Sequence, residues 1–116
     1  MSKFVVNDYG NKKEILKFPD HYVAVAVTVD DEGVVAENGK KIVPAGTIVG
    51  GGTLADGVSL VSKENGADAE GVLLNDVDVT YGPAPGAMVI HGFIDLNKIP
   101  EEPDEEVDLP QITFLK

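Results

Sequence analysis

Tyr22-Val23-Ala24-Val25-Ala26-Val27-Thr28-Val29 alternates without a break: Val23, Val25, Val27 and Val29 fall on one side of an extended chain, and Tyr22, Ala24, Ala26 and Thr28 on the other. A period of two held over eight residues predicts a β-strand. Both sides are largely apolar, so cover is expected on both. The domain core is expected on one side. A neighbouring subunit is expected on the other, where small side chains permit close approach. Working outward, Asp30 to Gly33 forms a turn, Val34 and Val35 begin a short segment, and Asn38-Gly39 is the strongest two-residue turn signal in the chain. Lys40 to Val43 returns toward a second turn at Pro44-Ala45-Gly46. Thr47 to Val49 is then followed by Gly50-Gly51-Gly52, where the chain bends or moves freely. Residues 53–70 read as an irregular, flexible loop or flap. Gly71 to Thr80 reads as a second strand and Ala87 to Leu96 as a third, and the short loop between them suggests an antiparallel pair. On the other side of the first strand, residues 1–20 are polar and broken. They read as an arm or short strand carrying Ile15, Leu16 and Phe18.

Composition supports the same class. The chain has 116 residues with 17 Val, 7 Ile and 5 Thr against 8 Leu, and β-branched side chains favour a pleated surface over a helix. The fold class expected is mostly β: a small antiparallel sandwich or barrel-like domain over residues 1–100, with no helix required. An acidic spacer and an apolar terminal strand follow over 101–116. The spacer, 101–108, holds six carboxylates and no base, so mutual repulsion is expected to keep it extended and solvated. The next segment, Leu109 to Leu115, is apolar and β-prone, and is expected to dock on a sheet edge of the same or an adjacent subunit, with Ile112 and Phe114 on one side.

Charge and missing residue types bound the function. Twenty acids face nine lysines with no arginine, for a net charge of −11; without the spacer, 14 acids against nine lysines leave −5. Nucleic acid and anionic membrane are therefore poor partners, since both are held by clustered Lys and Arg. No cysteine means no disulfide framework and no thiolate metal site. No apolar run reaches the roughly 20 residues that span a bilayer, and Met1 to Tyr9 lacks the apolar stretch of a signal peptide, so a soluble chain not secreted by the usual route is expected.

The residues that could carry chemistry are few. Ser2, Ser59 and Ser62 with His21 and His91 match no nucleophile motif. His91 sits among apolar neighbours in Met88 to Phe93 and reads as a buried imidazole bonded to backbone or carboxylate; one histidine does not make a metal site. Asp76 and Asp78 project from one strand face, and Asp95 could join them around a calcium ion, but no calcium loop is present and a solvated sheet face is the preferred reading. Gly46 and Gly50 to Gly52 lack the Lys-Ser/Thr that a phosphate loop requires. No cofactor is expected. The alternative is a calcium-dependent or small-molecule-binding β-module, or an enzyme, centred on His91, Asp76 and Asp78.

Three stretches, in order, resemble the head-decoration or head-fibre proteins of tailed bacteriophages: Asn38-Gly39-Lys40-Lys41-Ile42-Val43-Pro44-Ala45-Gly46-Thr47; Gly71 to Thr80 followed by Val89-Ile90-His91-Gly92-Phe93-Ile94-Asp95; and Leu109-Pro110-Gln111-Ile112-Thr113-Phe114-Leu115. Together they cover about a third of the chain. The resemblance implies a β-rich virion protein that is not an enzyme. It would be made in the host cytoplasm and bind the major capsid protein on the capsid exterior, often as a homotrimer, either as a decoration module or as the base of a fibre. Val23, Val25, Val27, Val29, Ile112 and Phe114 are the residues expected to serve interaction.

Overall fold

The computed structural model describes residues 14–116. The beginning of the N-terminal arm, residues 1–13, and with it the reading of Met1 to Tyr9, lies outside the described residues. Eight strands and one helical turn follow in chain order: β1 Val23–Val29, β2 Ile42–Val43, β3 Ile48–Gly50, α1 Thr53–Asp56, β4 Ser62–Lys63, β5 Gly71–Leu73, β6 Val77–Asp78, β7 Ala84–Asp95 and β8 Ile112–Leu115. The main sheet runs β1-β7-β5-β3-β4, β8 pairs with β7, and β2 and β6 form a small second sheet. Every pair is antiparallel except β7 with β8. Of the two architectures left open by the sequence, this is the sandwich: the sheet does not close. Among the described residues no helix is long and apolar enough to cross a membrane.

The long strand β7 organises the rest. Its first half pairs with β1 on one edge, from Ala84 opposite Val29 to Met88 opposite Val25. Its other edge takes β5 at Met88 and Val89. Its second half, Gly92 to Asp95, takes β8 on one edge. Toward the other edge, Leu16 bridges Ile94, Lys17 N–H donates to the Phe93 carbonyl and Asp95 N–H to the Ile15 carbonyl. Residues 15–17 and β1 are therefore two pieces of one line running antiparallel to β7, interrupted by the excursion 18–22.

The two sheet faces bury separate clusters. On one face Val27, Val29, Val49, Leu73 and Met88 meet Val43, Val77 and Val79 of the small sheet and its flank, together with Val61. Gly86 makes this approach possible, because a Cβ there would stand 2.9 Å from Val77 Cγ2. On the other face Ile48, Val72, Val89 and Ile94 pack with Ile15, Leu16, Ala45 and Ile112, and Ile99, Leu109 and Phe114 close over them. Burying one such side chain fully contributes roughly 1.5 to 3 kcal/mol.

Several local expectations are corrected. Gly71 to Thr80 is not one strand: it breaks after Leu73, and β5 and β6 join different sheets. Asp76 enforces the break by accepting a hydrogen bond from the Ala45 N–H at 2.7 Å, which ties the bend to the Pro44-Ala45-Gly46 turn. Segment 53–70 is irregular but bound down, and it holds the one helical turn. The Glu70 carboxylate accepts the N–H groups of Gly51, Gly52, Thr53 and Leu54. Asp56 accepts those of Val58 and Ser59. The triple glycine thus bends sharply around a carboxylate. The acidic spacer is not an extended tether either. Asn65 donates to the Glu102 carbonyl and accepts from Asp104 N–H, Lys63 pairs with Glu101 at 2.8 Å, and a turn closes from Val107 N–H to the Asp104 carbonyl. Asn38-Gly39 is a tight turn as expected, with positive φ at both residues and paired hydrogen bonds between Glu37 and Lys40.

Candidate functional site

The expected interaction residues divide by depth. Val27, Val29 and Ile112 are buried, and Val25 and Phe114 are partly buried against the two clusters, so these five serve the core of their own chain. The docking of 109–115, left open between the same and an adjacent subunit, is made within the chain. Val23 alone stands out, 50% exposed. A register shift between Val23 and Ala24 sets it opposite His91 while Ala24 faces Val89, so β7 spends one extra residue, Ile90, at this point. The small-residue side of β1 is covered at Ala24, which packs into the second cluster, and open at Ala26 and Thr28.

That irregularity builds the most chemically distinctive spot on the described surface. Where β7 bulges, Gly92 has φ 151° and lies under the excursion 18–22; a Cβ on it would come within 3.1 Å of Tyr22 Cβ and 3.3 Å of the His21 carbonyl oxygen. A turn closed by His21 N–H on the Phe18 carbonyl holds the excursion. His21 is thereby carried over His91, with their Nε2 atoms 3.2 Å apart. His91 Nδ1 lies 3.0 Å from Gln111 Oε1, just before β8. Phe18 meets Phe93 edge to face with ring centroids 5.3 Å apart, and His21 lies 5.8 Å from the same Phe93 ring. Phe18, Tyr22 and Val23 are all substantially exposed, giving an apolar and aromatic patch around two imidazoles.

The sequence reading of His91 is corrected on two counts. The ring is only half-buried, and its partners are His21 and Gln111, not backbone or a carboxylate. Pairing of the two histidines was missed, since 70 residues separate them; the available signal was Gly92, because a glycine inside a strand pattern marks a bulge or close approach.

The acidic trio does not assemble. Asp76 holds the Ala45 amide. Asp78 binds the Thr80 hydroxyl and amide, which hold its carboxyl below the usual aspartate range. Asp95 accepts the Asn97 N–H at 2.9 Å. Val77 sits against Gly86, nine residues along β7 from Asp95, which is roughly 30 Å at strand spacing. No group of three or more His, Asp or Glu residues arranged for a metal ion occurs among the described residues. A centre joining His91 to Asp76 and Asp78 has no geometric basis, since His91 stands five residues, roughly 16 Å, beyond Gly86.

Elsewhere, an open groove of about 400 Å³ runs between the 30–34 turn and Pro100-Glu101, lined by Val34, Ile42, Thr47 and Lys63 among others. Lys63 is drawn to its rim by Glu101, whose carboxyl is held low by that ammonium. No protein-family model matches this chain, and neither a curated protein nor a solved structure matches it.

Proposed function

We propose that this chain is a structural protein of a tailed-phage virion that binds the outer surface of the capsid, a head-decoration module or the base of a head fibre. The observation that carries the proposal is the exposed apolar patch of Phe18, Tyr22 and Val23 at the free end of edge strand β1. Aromatic and apolar groups grouped on a surface otherwise rich in carboxylates suit contact with another protein. The resemblance of the three stretches to head-decoration proteins implies major capsid protein as that partner. Two of the three supply the parts that meet at this patch, β7 and the segment entering β8.

In this reading the chain binds and does not catalyse, and it sits on the capsid exterior. The open side of β1 at Ala26 and Thr28 supports association with further copies, with a trimer at a local symmetry axis as the arrangement proposed. Electron microscopy of heads from the phage encoding the chain, with and without the protein, tests the placement; extra density on the outer surface is expected, and identical particles would overturn it. Tyr22→Ala combined with Val23→Glu should abolish that density while leaving the fold intact, because both side chains are exposed.

A further inference from the structure

We propose that His21 and His91 form a binding site for a zinc-like divalent transition metal, held by both Nε2 atoms. The geometry of the two rings carries the inference. Two imidazole ligands on one tetrahedral zinc, each with Zn–N near 2.05 Å, place their nitrogens about 3.3 Å apart and their ring centres about 5.2 Å apart. Here the nitrogens are 3.2 Å apart and the ring centroids 5.1 Å apart, with planes inclined at 58°. Rings meeting head-on along a straight N–H···N line would put the centres about 5.5 Å apart, and stacked rings about as far apart as their nitrogens. Both separations here match those of two rings sharing one ion more closely than either alternative.

Hydrogen bonding prepares the same arrangement. In the proposed site His91 carries its proton on Nδ1, donated to Gln111 Oε1, which leaves a bare lone pair on Nε2. A second-shell acceptor on the remote ring nitrogen is the usual companion of a metal-bound histidine. Without metal, His21 Nε2–H donates to that lone pair. Metal binding requires only that exposed His21 move its proton from Nε2 to Nδ1, a tautomer change with no ring displacement. Imidazole pairs suit zinc and its neighbours and not calcium, which takes oxygen ligands. Two coordination positions remain for water or for a donor from another molecule.

The test uses the full, tag-free chain at pH 7.5. Zinc in tenfold excess over its dissociation constant should raise the melting temperature by about 5 °C, and calcium or magnesium should not. In nitrogen-15 spectra of the histidine rings, zinc should shift both Nε2 signals and leave both rings protonated on Nδ1. His21→Ala, on an exposed position, should abolish both effects without lowering the metal-free melting temperature. Gln111→Ala should weaken zinc binding 10- to 100-fold, as loss of a ring-orienting partner does. Unmoved ring signals, or the same zinc response in His21→Ala, would overturn the site.

Discussion

The two faces of the main sheet are closed in different ways. Over Leu73 and Met88 the cover is itself a sheet: β2 and β6 bring Val43 and Val77 down in register, and the surface under them is shaped to fit by Gly86. Over Val72 and Val89 the cover is drawn from chain outside the ladder, with Ile99 and Leu109 arriving from loops and Ile112 and Phe114 from the last strand. The first cover is held by backbone pairing as well as by packing. The second depends on individual anchors and on the acidic strap that delivers them. Regular cover is stiff and irregular cover is adaptable, so losses of equal chemistry should differ in cost between the two faces.

Leu73→Ala should cost most, in the upper part of the roughly 2 to 5 kcal/mol range for a buried leucine, because the small sheet cannot collapse into the void. Chemical denaturation measures it, and a loss below that of Ile112→Ala would break the comparison. Ile112→Ala, on a residue 6% exposed in a strand joined to the sheet along one edge, should lie in the lower part of the same range. Hydrogen exchange would sharpen the contrast: amides of β8 and of Phe93 to Asp95 should exchange faster while those of β5 and β6 stay protected.

Asn65→Ala removes both hydrogen bonds that pin the strap and should cost about 1 to 2 kcal/mol. Its effect on β8 protection should follow Ile112→Ala in kind and fall short of it in size. A variant matching wild type in both stability and exchange would show that the strap adds nothing to the second cover.

The smallest effect concerns Asp78, on the small sheet. Its carboxyl is held below its ordinary value by the Thr80 hydroxyl and amide, so the ionised form favours the fold. The sign follows directly: the contribution is complete above the unfolded aspartate value near 3.8 and is lost as pH falls through the lower folded value. Because the group is fully exposed, the change should be slight. The difference in melting temperature between wild type and Asp78→Asn should be present at pH 7 and vanish toward pH 2; a difference that survives acid would mean the charge is not its source.

Much of the regular face was legible in the sequence. The valine alternation identified β1, and Asn38-Gly39 identified its turn because only residues tolerant of positive φ fit there. The division of Gly71 to Thr80 was not legible, since Val77-Asp78-Val79 continues the apolar pattern of Val72 and Leu73; what breaks it is an amide 31 residues away that needs the Asp76 carboxylate. The candidate site was legible only in halves. Phe18 read as part of a polar arm, Tyr22 as the start of the alternating strand, and His91 as a core histidine. Their meeting depends on a bulge at Ile90 that shifts the pairing of two strands, and pairing partners are fixed by tertiary packing.

The position of β7 also sets a timetable. Its partners come from residues 15–17, 23–29, 72–73 and 112–115, so β1 and residues 15–17 meet this central neighbour only once residues 84–95 exist. Joining Val23 to His91 closes a loop of more than sixty residues, an entropic toll that local structure does not reduce. Such non-local topologies assemble in milliseconds to seconds, not microseconds. During synthesis, the alternating stretch at β1 can gain its bridge to Val61 early, but the edge that β7 covers stays exposed to other nascent chains until β7 emerges.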